Sequence, residues 1–160
     1  MNKTLTLIRH AKADAPHGVS DQQRPLSEKG WQQVKRASSA LHKRAVSFEQ
    51  IYCSDALRTR QTAEQLNNHL GLMSACLHYQ ADLYLASHNT LLACVNATPN
   101  QYQHVALIGH NPGLSDLWRH LSAQYQTDLS TCAIVTMALC VDDWRAVDYS
   151  VATSSEVWRA

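Results

Sequence analysis

Two short apolar runs in the chain each end in a histidine. Residues 5–11 are mostly apolar up to Arg9-His10, and residues 104–110 are mostly apolar up to Gly109-His110. Runs of this length, rich in aliphatic and β-branched residues, predict buried strands. Open α/β sheets place their sites at the carboxyl ends of parallel strands. The pattern therefore predicts that two imidazoles and a guanidinium group meet at one edge of a sheet.

A helix is predicted to follow the first strand after a polar loop. The loop covers residues 12–24, a length typical of segments that cover a site, and we interpret it as the rim of a pocket. Ser27 is the predicted N-cap of the helix, with Glu28 in its first turn. Apolar and small residues then recur at helical spacing and predict one buried face: Trp31, Val34, Ser38, Leu41 and Ala45.

A second strand and helix carry another candidate site residue. Residues 48–53 form a short apolar run, Ser54-Asp55 is the predicted cap of the helix, and Gly71 ends it. Arg58 falls in the first turn, where free backbone N–H groups and the helix dipole already favour an anion. The neighbouring Arg60 is interpreted as an ordinary solvated charge.

The rest of the chain continues the alternation of strands and helices. Residues 78–85 are extended, a third helix around residues 91–95 ends before Pro99, and Asn111 is the predicted N-cap of a fourth helix with Pro112 in its first position. Residues 133–141 and 144–152 alternate as two strands of a hairpin with a tight turn at 142–143. The predicted fold is α/β in three layers, a mostly parallel sheet with an antiparallel C-terminal hairpin, in one domain over residues 1–160.

The composition and charge of the chain argue against two classes of binding partner, nucleic acids and membranes. Apolar residues make up 45% of the chain and charged residues 17%, which is typical of a globular domain, and the net charge is +1 with no basic tract. We therefore expect no general binding to nucleic acid. The five cysteines include no Cys-x-x-Cys pair, and the N-terminal apolar run is too short for a signal peptide or a membrane span. These features predict a soluble, cytoplasmic protein that does not bind a membrane.

The predicted strand and helix ends bring together Arg9, His10, Arg58 and His110. Two guanidinium groups and two imidazoles around one point suit a dianion, and phosphate accepts forked hydrogen bonds from arginine. For phosphoryl transfer one imidazole must be neutral, and neighbouring cations lower its pKa. The other histidines stand singly, without His-x-x-x-His spacing, so we predict neither a metal site nor a cofactor.

Four blocks of sequence resemble those of a known family, in the same order. Leu7–Ala13 resembles the Arg-His-Gly signature of the histidine phosphatase superfamily, in the Arg-His-Ala-Lys form of its small SixA-like branch. The other three blocks cover residues 24–30, 54–63 and 109–112. The resemblance implies a phosphoglycerate mutase-like fold and hydrolysis of a phosphomonoester or phosphoramidate through a phosphohistidine intermediate. It further implies His10 as the nucleophile and phosphoryl binding by Arg9, Arg58 and His110.

Three positions depart from the family pattern. Ala11 replaces a glycine, as in the small branch, and Asp55 stands where a proline often follows the serine. Larger members carry an acidic general acid in the segment before the last block, and in the comparable place, between residues 63 and 109, this chain offers Asp82 as a candidate. A substrate whose leaving group needs little help from an acid is therefore favoured, and phosphohistidine has a labile phosphorus–nitrogen bond.

The leading hypothesis is a phosphatase that acts on a protein bearing phosphohistidine. Two alternatives stay open at this point: a phosphatase for a small phosphorylated metabolite, and a phosphate-binding module without turnover.

Overall fold

The computed structural model describes residues 2–160, which form a six-stranded sheet covered by helices on both faces. The strands are β1 (Lys3–Arg9), β2 (Gln50–Ser54), β3 (Leu77–Gln80), β4 (His104–Gly109), β5 (Ile134–Leu139) and β6 (Ala152–Trp158). The helices are α1 (Glu28–Lys43), α2 (Leu57–Leu70), α3 (His88–Asn96) and α4 (Gly113–Ser122).

The sheet is parallel except at one side. Its strand order is β3-β2-β4-β1-β5-β6, in which β1, β2, β3 and β4 pair in parallel. β5 pairs antiparallel with β1, and β6 pairs antiparallel with β5. The predicted α/β class with an antiparallel C-terminal pair is confirmed.

Alternate side chains of the central strands enter two separate cores. Leu5 and Leu7 of β1 pack in a core with the apolar faces of α3 and α4, whereas Ile8 packs in a second core with α1 and α2. β4 divides its residues in the same way. Because both faces of these strands are buried, they read as nearly continuous apolar runs in the sequence.

The return strand of the hairpin was predicted at the wrong place. Residues 144–152 do not form a strand; a 3-10 turn, Trp144–Ala146, lies there, and β6 starts only at Ala152. The Trp144 side chain is fully buried and donates from Nε1 to the Tyr102 carbonyl at 2.7 Å. Nδ2 of Asn96 donates hydrogen bonds to the carbonyls of Trp144 and Val147 at 2.8 and 2.9 Å. These two carbonyls therefore bond to a side chain and not to a neighbouring strand.

Smaller differences concern the predicted helix ends and faces. Trp31 is 40% exposed, and Ala45 lies beyond the end of α1 with a positive φ, so neither belongs to the buried face. The N-cap of α2 is Ala56, and the N-cap of α4 is Pro112, each one residue beyond the predicted cap. Among the described residues no helix is long and apolar enough to cross a membrane.

Candidate active site

The pairing of β1 with β4 brings His10 and His110 together. Arg9 lies opposite Gly109 in the parallel register, and each strand is followed directly by its histidine. The His10 backbone N–H donates to the Gly109 carbonyl at 3.1 Å, and the two ring centroids lie 5.2 Å apart. Both side chains are buried. The two histidines thus share one sheet edge, as the two apolar runs predict.

The hydrogen bond of the His10 ring determines which nitrogen is free. Nδ1 lies 2.8 Å from the Ala11 carbonyl oxygen, which can only accept, so Nδ1 carries the proton. Burial, with smaller contributions from Arg58 and Arg9, lowers the pKa of His10 to about 4. The ring is therefore neutral at pH 7, with an unprotonated Nε2 whose lone pair can attack an electrophile.

His110 is also neutral, with the opposite tautomer. Nε2 lies 2.8 Å from the Ser54 hydroxyl, and Nδ1 lies 3.4 Å from Nη2 of Arg58, which can only donate. Nδ1 therefore accepts and Nε2 carries the proton. Burial, followed by the influence of His10 and Arg58, lowers the pKa of His110 to about 3.

Arg58 enters the site from the first turn of α2. Its side chain is 4% exposed; Nη1 donates to the Asp21 carbonyl at 2.6 Å and Nη2 to the Asp21 carboxylate at 3.1 Å. Thr62 fixes this turn against the strand-end loop, since its hydroxyl donates to the Arg58 carbonyl and accepts from the Ala11 N–H.

Arg9 is held from the other side of the site. Its Nη1 donates to the Leu129 carbonyl at 2.7 Å, and the Asn111 amide donates to the same oxygen at 2.8 Å. The Nε of Arg9 is buried without a hydrogen-bond partner among residues 2–160. Burial lowers the pKa of Arg9, but a guanidinium group stays protonated at neutral pH.

These side chains line a cavity of about 300 Å³ at the carboxyl edge of the sheet. It is lined by Arg9, His10, Lys12, Ala13, Asp21, Arg24, Arg58, Leu85, His110, Asn111 and Thr131. Four cationic side chains and one carboxylate face a space beside two neutral imidazoles, which suits a dianionic group. A larger cavity of about 380 Å³ lies between α1 and the β5-β6 side of the sheet, but its lining contains no histidine.

Comparison with known proteins identifies the family. The model of the histidine phosphatase superfamily, branch 1, matches residues 5–84. An uncharacterised protein of Mycobacterium tuberculosis is 31% identical over 121 residues, which cover 76% of this chain and 73% of that protein. The chain belongs to the histidine phosphatase superfamily. It is accordingly a phosphatase, of the SixA-like branch.

Three solved structures share the fold of the chain. A candidate phosphohistidine phosphatase SixA of Agrobacterium tumefaciens is 25% identical, with 85% of this chain and 91% of that chain covered and a TM-score of 0.76. A protein histidine phosphatase SixA complexed with tungstate has the same fold, with a TM-score of 0.80, 23% identity and 95% of both chains covered. A mycobacterial glucosyl-3-phosphoglycerate phosphatase shares the fold at 16% identity, a TM-score of 0.72 and complete coverage of both chains (100% each). The fold therefore accommodates more than one kind of phosphorylated substrate.

The second superfamily block has a packing role beside the site. A Cβ on Gly30 would lie 2.0 Å from the Lys12 carbonyl oxygen, so only glycine lets α1 approach the loop that follows β1. Ser27 caps α1 by accepting from the Gly30 N–H, and its hydroxyl donates to the same Lys12 carbonyl. This block thereby fixes the start of the loop that carries Lys12, Asp21 and Arg24 into the cavity lining.

Asp82 does not lie at the cavity. It is exposed in a 3-10 turn, Ala81–Leu83, and is absent from the cavity lining. The structure therefore brings together Arg9, His10, Arg58 and His110 but not the candidate general acid. The carboxyl group in the cavity lining belongs to Asp21, whose pKa is held far below its usual range by hydrogen bonds from Tyr84, Arg24 and Arg58.

Sequence reasoning missed several residues that complete the site. Asp21 lies within the loop predicted as the rim, but nothing in its spacing distinguishes it from Asp14. Tyr84 lies in a segment that was predicted only as extended. Leu129 contributes a backbone carbonyl to the site, and the residue type in the sequence gives no indication of that role. Ser54, the last residue of β2, was interpreted as a cap, and its hydroxyl also contacts His110. Within the described part of the chain, no group of three or more metal-ligating side chains is suitably arranged for a metal ion.

Proposed function

We propose that the chain hydrolyses phosphohistidine on another protein, with His10 as the nucleophile and a phosphohistidine intermediate on His10 itself. The observation that carries this proposal is the state of the ionisable groups around the cavity. The neutral His10 ring offers a lone pair at Nε2, whereas the cavity lining contains no carboxyl group that retains a proton at neutral pH.

Arg9, Arg58 and His110 are the proposed ligands of the phosphoryl group. Arg9 uses Nη1 on the Leu129 carbonyl and Arg58 uses only part of its five N–H donors on Asp21, so each of these guanidinium groups in the cavity lining keeps further N–H donors. His110 lines the cavity beside the His10 ring; its Nε2–H donates to the Ser54 hydroxyl in this structure, so a bond to the phosphoryl group requires the ring to exchange that partner. Donors held in place before the reaction stabilise the charge on the equatorial oxygens, which supplies most of the acceleration in phosphoryl transfer.

The reaction proceeds in two displacements. In the first, Nε2 of His10 forms a bond to phosphorus while the phosphorus–nitrogen bond of the substrate breaks, and the leaving imidazole takes a proton from solvent. In the second, water attacks the phosphoryl group on His10, inorganic phosphate leaves, and the lone pair returns to Nε2. No metal ion or cofactor enters either step.

The leaving group is what distinguishes phosphohistidine from a phosphate ester. An alkoxide leaving group requires a positioned acid, since its conjugate acid is weak. Asp21 is the carboxyl group in the cavity lining and remains ionised, and both histidines have pKa values far below 7. An imidazole leaving group is protonated readily from solvent. The site therefore favours a phosphoramidate over an ester.

The test is a comparison of substrates under one set of conditions. We expect kcat/KM for a phosphohistidine carrier protein to exceed that for sugar and nucleotide phosphates by about 100-fold or more, as expected where a general acid contributes that factor. The His10→Ala variant serves as the control for contaminating phosphatase.

Two results would replace the proposal. A preference for a metabolite phosphate would indicate a small-molecule phosphatase. Tight binding of inorganic phosphate without turnover of any substrate would indicate a binding module.

A further inference from the structure

Asp21 makes more contacts with the site than any sequence feature predicts. Its carboxylate accepts from Nη2 of Arg58 at 3.1 Å, from Nη1 of Arg24 at 3.0 Å and from the Tyr84 hydroxyl. Its backbone carbonyl accepts from Nη1 of Arg58 at 2.6 Å. One residue therefore holds both terminal nitrogens of the Arg58 guanidinium group.

Two points of attachment fix the plane of a guanidinium group. Besides its bonds to Asp21, the Arg58 side chain has one further side-chain partner among the described residues. Nη2 of Arg58 lies 3.4 Å from Nδ1 of His110, which is long for a hydrogen bond. The remaining N–H donors of Arg58 are thus directed by Asp21. The orientation matters because these donors must meet oxygens whose charge develops only during the reaction.

Tyr84 supports Asp21 from the opposite side of the site. Its ring meets the His110 ring edge-on, with centroids 5.5 Å apart, and lies 6.0 Å from the centre of the Arg58 guanidinium group. Its hydroxyl donates to the Asp21 carboxylate. One hydrogen bond, from Tyr84 to Asp21, therefore joins the segment after β3 to the loop over residues 12–24. It lies next to the two proposed phosphoryl ligands, Arg58 and His110.

We propose that Asp21, supported by Tyr84, is a positioning residue that orients Arg58 toward the phosphoryl group and does not itself transfer a proton. This inference rests on the proposed function, in which Arg58 binds the phosphoryl group. Asp21 neither attacks phosphorus nor contributes a positive charge, so its effect passes through Arg58.

A substitution that keeps the shape of the side chain but removes its charge separates positioning from binding. Asp21→Asn keeps the shape of the side chain and the backbone carbonyl, but it removes the carboxylate that holds Nη2. We expect kcat to fall about tenfold, since a misdirected catalytic group costs rate even when it remains in the site. We expect the Kd for inorganic phosphate to weaken by no more than about twofold, because the cavity also loses its one negative charge.

The matched control lies in the same loop. Asp14→Asn makes the same change of charge on an exposed carboxyl group that does not line the cavity. Both kcat and the Kd for phosphate should stay within about twofold of the wild-type values, as is usual for a surface substitution. Thermal denaturation of all variants establishes that each is folded at the assay temperature.

A second variant tests whether Tyr84 acts through Asp21. Tyr84→Phe removes only the hydroxyl and should lower kcat by about threefold, the effect of one lost hydrogen bond of modest net strength. The double variant Asp21→Asn/Tyr84→Phe should be no slower than Asp21→Asn alone, because residues that act in one unit are not additive.

The decisive outcomes are distinct from those that test the proposed function. A kcat of Asp21→Asn within twofold of wild type, or a Kd for phosphate weakened in parallel with kcat, would overturn the positioning role. The guanidinium NMR signals of Arg58, assigned by their loss in Arg58→Lys, give a readout that needs no activity. They should be resolved in the wild type and averaged in Asp21→Asn; signals that stay resolved in the variant would contradict the inference even if phosphohistidine is not the substrate.

Discussion

Each end of the sheet carries a cationic side chain and a histidine that are at least partly buried, but the hydrogen bonding of these groups differs. At the amino end, Lys3 is 1% exposed, and its ammonium group donates to the carbonyls of Asn100 and Tyr102 at 2.6 and 2.9 Å. His104 at the same end lies 2.9 Å from the Thr6 hydroxyl. At the carboxyl end, Arg9 buries an Nε without a partner, and His10 leaves Nε2 free.

The difference distinguishes a structural polar group from a ligand. A buried polar group normally finds hydrogen-bond partners, since leaving one unpaired costs about 1–3 kcal/mol. The amino end meets this requirement within the protein, with backbone carbonyls for Lys3 and the Thr6 hydroxyl for His104. At the carboxyl end, Nε of Arg9 and Nε2 of His10 stay unpaired in side chains that line the cavity, and the proposed function uses the lone pair of His10 to attack phosphorus.

The largest contrast is expected between substitutions of His10, at the carboxyl end of the sheet, and of His104, at the amino end. His10→Ala should lower turnover by about a thousandfold or more while the protein remains folded, since it removes the nucleophile at a strand end. His104→Ala should instead lower the free energy of unfolding by about 1 kcal/mol, because Thr6 loses a partly buried hydrogen bond, and should leave activity nearly unchanged. Turnover and urea denaturation of both variants check this pair; activity that survives in His10→Ala would remove His10 as the nucleophile.

The cations at the two ends of the sheet should show the same division: we expect substitution of Arg58 to lower activity and substitution of Lys3 to lower stability. Arg58→Ala should weaken transition-state binding by about 2–4 kcal/mol, roughly 30- to 1,000-fold in kcat/KM, by removing a charge-assisted contact. Lys3→Met should cost about 1–3 kcal/mol of stability through the carbonyls it leaves unpaired, with kcat/KM unaffected. Equal losses of activity in both variants would mean that the two ends are not functionally distinct.

Acid should destabilise the protein through the site histidines. Folding lowers the pKa of His10 from 6.5 to about 4, so the unfolded chain binds more protons between these values and stability falls as pH falls through this window. Between pH 7 and pH 5 this ring should account for about 2 kcal/mol of lost stability. Urea denaturation at both pH values should show a correspondingly smaller loss of stability in His10→Gln. As a control, a variant of the exposed His42 should lose as much stability as the wild type. An identical pH dependence in His10→Gln and the wild type would show that the ring titrates normally.

The smallest effect is expected at Asp82. Asp82→Asn should change kcat/KM for a phosphohistidine protein by less than about twofold, as for other surface substitutions, because the side chain lies outside the cavity. A steady-state comparison on phosphohistidine and on a phosphate ester checks both substrate classes. A tenfold loss on either would restore Asp82 as the general acid.

The sequence predicts the central strands and the site residues because local pattern and fold agree there. β1 and β4 are buried on both faces and carry their histidines at the first position after the strand, so topology alone brings them together. The residues around Trp144 show the opposite case. Their alternation predicts a strand, but Asn96 binds their carbonyls from 48 and 51 residues away, a contact that no local pattern reveals.

Polar burial was the other source of error. Gln33 is buried on α1, although a polar side chain on a helix is normally expected in solvent, because its amide accepts from the Lys12 N–H and donates to Thr131. Trp31 is 40% exposed because the buried face of α1 runs through Gly30, Gln33, Val34, Ala37 and Leu41 and does not include it. Asp21 and Tyr84 were unpredictable in the same way, because their roles depend on two loops meeting above Arg58.

The most direct test of the account is to trap the covalent intermediate. The protein is mixed with a phosphohistidine carrier labelled with ³²P, quenched in alkali within milliseconds, digested and mapped by mass spectrometry. We predict an acid-labile, alkali-stable phosphoryl group on His10 and none in His10→Ala. Label on another residue, or turnover without any protein-bound label, would contradict the central claim that the free Nε2 of His10 attacks phosphorus.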